Sequence, residues 1–90
     1  MPKFVIERNI RNAGKMSPKE LHEASAKSCR VVTELGPAIQ WVYSYVADHK
    51  LFCIYIASNP ELIREHALRS GFPADNIYPV KVIIDPTTAE

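Results

Sequence analysis

QWVYSYVADHKLFCIYIA, residues 40–57, is the stretch whose reading decides the fold: two β-rich runs around a short polar break. Ile39–Val46 and Leu51–Ile56 are dominated by aromatic and β-branched residues, the composition of strands. Ala47-Asp48-His49-Lys50 is too short for a crossover, so the two runs pair antiparallel. In the first run Trp41, Tyr43 and Tyr45 share one parity while Val42 and Val46 share the other, so apolar groups face both sides of the hairpin. The loop can close around an even or an odd number of residues. Each choice sets different residues of the second run beside the three aromatics, and the sequence leaves both registers open.

The elements on either side of the hairpin complete a pattern. Phe4–Arg8 is a short β-rich run. After a loop over Asn9–Met16, Ser17-Pro18-x-Glu20 supplies an N-cap, a first-turn proline and a capping-box glutamate. Leu21, Ala24, Ser28, Val31, Val32 and Leu35 then recur at helical spacing. Gly36-Pro37 ends this helix, with glycine suited to a left-handed cap. Asn59-Pro60 repeats the capped start. Glu61–Ser70 sets Ile63 and Ala67 on one side and the Glu65–Arg69 pair on the other, and Gly71 closes it. Phe72–Asn76 is a turn-rich connector, Ile77–Ile84 reads as a final strand, and Asp85–Glu90 is a polar tail.

Strand, helix, strand, strand, helix, strand over residues 1–90 is the α+β ferredoxin-like βαββαβ arrangement: one domain, a four-stranded antiparallel sheet, both helices on one face. The other face is bare. Trp41, Tyr43, Tyr45, Tyr55 and Cys53 exceed what two helices can shield, and apolar burial is worth roughly 25 cal/mol per Å². The expected outcome is a homodimer joined through the open sheet faces, with room for a cavity between subunits.

Composition narrows the function. A chain of 90 residues holds one small core, and 47% hydrophobic residues mark it as globular. With 11 Lys+Arg against 10 Asp+Glu, the net charge of +1 gives no field to gather nucleic acid or an acidic membrane, so neither is an expected partner. The opening Met-Pro-Lys-Phe-Val-Ile-Glu-Arg meets charge after three apolar residues, unlike a signal peptide, and no run is long enough to span a bilayer; the expected address is the cytoplasm. Cys29 and Cys53 form no CxxC pair and read as small buried hydrophobes.

No nucleotide-binding, zincin or paired-cysteine zinc signature is present. Of the three histidines, His22 faces Pro18, Lys19, Ser25 and Ala26 at i±3 and i±4, and His66 faces Leu62, Ile63, Arg69 and Ser70. Neither helix builds a chelate alone, so a metal site has to combine elements or subunits, and Asp48-His49 is the best local pair. Glu7 and Arg8 alternate in the first strand, so one of the two charges points into the covered face, where an ion pair is the expected partner.

Taken together, MPKFVIER, LGPAIQWVYSYV, IREHA, GFPA and IDPTTA resemble a family of small bacterial nickel-binding or nickel-responsive ferredoxin-like proteins, along nearly the whole chain. The resemblance implies a dimeric ferredoxin-like fold and a role in binding or sequestering divalent nickel, and the first reading is accordingly a homodimer that binds the metal without catalysis. Nickel suits imidazole and carboxylate, and His66, which lies within IREHA, His49, His22 and Asp48 offer these groups. An alternative reading is a small-molecule binder or cofactor-free enzyme of the dimeric α/β-barrel kind, with Trp41, Tyr43, Tyr45, Tyr55, Glu7 and His66 around a pocket. A third is an interaction module without a ligand.

Overall fold

The computed structural model describes residues 1–90. Six main elements follow in order: β1 (Lys3–Asn9), α1 (Pro18–Leu35), β2 (Ile39–Val46), β3 (Lys50–Ala57), α2 (Pro60–Ser70) and β4 (Asn76–Pro79), with single 3₁₀ turns at Ala13–Lys15 and Pro86–Ala89. The expected βαββαβ order holds, and the sheet runs β2-β3-β1-β4 with every pair antiparallel.

Both helix starts are built from local hydrogen bonds. Ser17 Oγ accepts from the Glu20 N–H at 3.1 Å while Glu20 Oε1 accepts from the Ser17 N–H at 3.0 Å, a closed capping box. Asn59 Oδ1 accepts from the Leu62 N–H at 3.1 Å. The helix ends differ. Gly71 takes the left-handed conformation at φ 78°, whereas Gly36 stops α1 at φ 8°, ψ −171°, outside the left-handed cap expected for it.

Pairing of β1 with β3 runs unbroken from Lys3↔Ile56 to Asn9↔Lys50 and places Phe4, Ile6 and Arg8 on the same face as Tyr55, Cys53 and Leu51. This is the helix-covered face. Phe4, Ile6, Ile39, Cys53, Tyr55, Ala57 and Ile63 form the core, with Val32 and Leu35 of α1 packed against it. Val5, Ile54 and Ile56 lie on the opposite face and are half-buried, although no helix covers them.

The hairpin register contains an irregularity. Trp41 pairs with Tyr55, but the next partners are Tyr43↔Ile54, leaving Val42 as an extra residue on the β2 side of a bulge. Parity inverts at that point. Trp41 joins the helix face with Tyr55, while Tyr43 and Tyr45 pass to the open face and Ser44 and Val46 turn inward. The three aromatics therefore do not share a side. A hydrogen bond from Trp41 Nε1 to Ser44 Oγ at 2.9 Å ties the two inward positions across the bulge.

Two other expectations change. The last strand stops at Pro79 and does not reach Ile84, because β1 begins at Lys3 and Val80, bonded to the Lys3 carbonyl at 2.8 Å, is the last residue it can hold. Val82, Ile83 and Ile84 are left 75, 65 and 73% exposed. Cys53 is buried but Cys29 is exposed, since it sits about 100° round the helix from the inward Ser28. No helix is long and apolar enough to cross a membrane.

Truncating Ile6, fully enclosed on the central strand, to alanine should lower the unfolding free energy by about 2–5 kcal/mol in urea titrations, whereas Leu68→Ala on the outer side of α2 should change it by no more than about 0.5 kcal/mol.

Candidate functional site

Asp48 and His49 lie in a loop braced from beneath. Ile10 N–H and Gly14 N–H donate to the carbonyls of His49 and Asp48 at 3.1 and 3.0 Å, docking the Ala13–Lys15 turn against the hairpin end. Only glycine fits this approach comfortably, because a Cβ at Gly14 would lie 3.0 Å from the Ala47 carbonyl oxygen and 3.1 Å from the Asp48 Cα. The Asn12 N–H, at a left-handed φ of 61°, donates to His49 Nδ1 at 3.0 Å.

That bond settles the His49 tautomer. An Nδ1 that accepts is unprotonated, so the neutral ring carries its proton on Nε2. A metal at Nε2 needs that proton moved to Nδ1, opposite the Asn12 N–H. A metal at Nδ1 displaces the same N–H directly. Either route costs one hydrogen bond, about 1 kcal/mol. His22 is exposed on α1 and Asp48 is exposed in the loop. No three His, Cys, Asp or Glu side chains come together as a metal-binding group within one chain, so Asp48 and His49 remain neighbours in the hairpin loop that neither His22 nor His66 joins to complete a site.

His66 has a different environment. It is 0% exposed, on the inner side of α2, with Nε2 at 3.1 Å from Ser28 Oγ and 3.4 Å from the Tyr55 hydroxyl. Ser28 Oγ and Tyr55 OH are themselves 3.1 Å apart, closing a triangle that links α1, α2 and β3. Burial, with a smaller contribution from the nearby Arg8 guanidinium, pushes the His66 pKa down to about 4, so the ring is neutral at pH 7. Its Nδ1 has no hydrogen-bond partner.

The two strand-1 charges part as their parity demands. Glu7 lies on the open face, where Lys50 Nζ, the Tyr78 hydroxyl and Asn76 Nδ2 donate to its carboxylate, holding its pKa below the usual carboxylate range chiefly through Lys50. Arg8 points inward and is 1% exposed. The ion pair expected for this inward charge is missing: Arg8 Nε donates to Cys53 Sγ at 3.4 Å, Nη1 donates to the Pro73 carbonyl at 2.7 Å, and Nη2 has no partner.

A cleft of about 370 Å³ lies between α1 and the helix-covered face of the sheet. Of the expected pocket residues, Trp41 and Tyr55 line it; Tyr43, Tyr45 and Glu7 do not, because the bulge and the β1 parity carry them to the open face, and neither does His66, which is buried with its Nε2 against Ser28 and Tyr55. There Tyr43 and Tyr45 meet edge to face at 5.2 Å between ring centroids. Arg8 also lines the cleft, a role sequence reading passed over. Its signal was its parity with Phe4 and Ile6.

The sequence profile of the nickel responsive protein SCO4226-like family matches residues 4–80. The fold is similar to the crystal structure of SCO4226 from Streptomyces coelicolor A3(2), with a TM-score of 0.76 over 91% of this chain and 99% of that one, at 16% sequence identity. No curated protein matches the sequence significantly.

The buried His66 makes stability depend on pH. Its folded pKa of about 4 lies below the ordinary 6.5, so between these values the unfolded chain binds the extra proton; stability therefore rises with pH across the window and is lost as pH falls from 6.5 toward 4. Between pH 7 and pH 5 the native protein should lose about 2 kcal/mol more than His66→Gln in urea unfolding; equal losses would contradict a neutral, enclosed ring.

Proposed function

The chain belongs to the SCO4226-like family of nickel-responsive proteins, and on that premise we propose that it is a non-enzymatic homodimer that binds divalent nickel for sequestration or homeostasis. The family match over residues 4–80 is the observation that carries the reading. Imidazole nitrogen and carboxylate oxygen are suitable donors for Ni²⁺, and His49, Asp48 and His22 present them at the surface. One chain assembles no three-ligand group, so the site in this reading joins donors from two copies and its affinity is moderate. His66, the fourth candidate, is withheld from solvent by the Ser28 and Tyr55 hydroxyls.

The open sheet face supports the dimer. Val5, Phe52, Ile54 and Ile56 lie there half-buried, Tyr43 and Tyr45 are 49 and 60% exposed beside them, and the Val82-Ile83-Ile84 arm projects beyond the last strand without a partner. A second copy offers identical surfaces, so a two-fold pairing covers both faces at once.

Calorimetric titration of the untagged protein with Ni²⁺ should give a saturable heat. His49→Ala and His22→Ala should each weaken binding about tenfold or more, and His66→Gln should leave it unchanged. In amide spectra, the Asn12 N–H should shift as nickel binds, because it loses its acceptor. Unaltered titrations of both surface variants would remove these residues from the site. In sedimentation the native protein should run at about twice 10.2 kDa, and Ile54→Glu should return it to a monomer.

A further inference from the structure

The cleft beneath α1 has features that nickel binding does not use. Ten of its sixteen lining residues are hydrophobic, and none is acidic. Its volume falls in the range of small-molecule pockets, about 300–1,000 Å³. Apolar walls come from Leu21 and Ala24 of α1, Trp41 of β2, Leu51 of β3 and Phe72 of the connector after α2.

Into this wall the fold sets Arg8, a permanent positive charge that joins none of the protein's ion pairs. Desolvating a guanidinium costs several kcal/mol unless opposite charge and full hydrogen bonding offset it. Here the offset is incomplete. Two of the three nitrogens bond only neutral acceptors, Cys53 Sγ and the Pro73 carbonyl, and Nη2 bonds nothing. The rings of Tyr55 and Phe72, with centroids 5.9 and 6.0 Å from Cζ, hold the guanidinium in place. An immobilised, unneutralised guanidinium at the edge of an apolar cleft is complementary to one chemical pattern: a carboxylate on a hydrophobic body.

We infer that the cleft is a binding site for a small apolar monocarboxylic acid, its carboxylate on Arg8 and its hydrocarbon part between α1 and the sheet. The cleft lies on the helix side of the sheet and the proposed dimer face on the other, so the two do not compete for surface. Ser28 of the His66 triangle also lines the cleft. Occupancy thereby touches the network that joins both helices to β3.

Trp41 is the only tryptophan and borders the cleft, so its fluorescence reports filling directly. Untagged protein is titrated with sodium octanoate, with 2-naphthoate read by calorimetry, and with octan-1-ol as the uncharged match. At least one acid should bind saturably, at least about tenfold more tightly than the alcohol. Arg8→Gln should bring acid affinity down to that of octan-1-ol while leaving the alcohol unaffected. Ala24→Trp, which fills the cleft from α1 and leaves the guanidinium in place, should abolish binding of both and keeps the test valid if Arg8→Gln fails to fold. Added Ni²⁺ should leave the acid titration unchanged. Failure of both acids to bind, acid binding no tighter than the alcohol's, or undiminished acid binding in Ala24→Trp would overturn the assignment.

Discussion

The unbroken antiparallel ladder between β1 and β3 is the constraint on which the rest of the molecule depends. Seven consecutive pairs fix Phe4, Ile6 and Arg8 on one side and Val5 and Glu7 on the other, and β2 and β4 attach at the edges of that frame. A one-residue slip in this ladder would send Ile6 to the open face and Glu7 into the core. The register is therefore enforced by both burial and charge. Once it is set, the right-handed crossovers leave both helices one side to cover, and the other side stays open.

Against that frame the bulge at Val42 acts as a sorting device. In a regular ladder Trp41, Tyr43 and Tyr45 all lie under the helices, where two tyrosine hydroxyls would need buried partners. The inserted residue keeps the indole inside, paired with Ser44, and turns both phenols outward. The same inversion brings the small Ser44 to the inner wall, which leaves a cleft where a ring would otherwise stand. Cleft and aromatic outer face thus have one common origin in a single extra residue.

The interior polar groups fall into two sets with different degrees of completion. Ser28, Tyr55 and His66 satisfy one another through a closed triangle, with only His66 Nδ1 left over, and the neutral ring suits its low-dielectric surroundings. Arg8 cannot lose its charge, so its incomplete shell is the greater energetic burden on this fold. The exposed imidazoles and carboxylate proposed as nickel donors, His49, Asp48 and His22, lie at the hairpin end, which backbone hydrogen bonds tie to the Ala13–Lys15 turn, and on the outside of α1. None of these three side chains lines the cleft, although its wall reaches the hairpin end through Val46 and Leu51.

The order of elements, both helix starts and the bareness of one sheet face were legible in the amino-acid sequence, because strand composition, N-capping and helical periodicity arise between residues a few positions apart. Ser17 with Glu20, Asn59 with Leu62, and Glu65 with Arg69 each interact within four positions and are found as read. The nickel-responsive family was legible too, through short motifs spread along the chain. What sequence reading could not supply was which side of the sheet Tyr43 and Tyr45 occupy, that the last strand ends at Pro79, that His66 is sealed against Ser28 and Tyr55, and that Arg8 stands inside without a counter-ion. Tertiary structure alone decided these, because each depends on partners far away along the chain: a bulge exists only relative to the opposite strand, a strand ends where its neighbour does, and a charge is unpaired only once every other charge has its place.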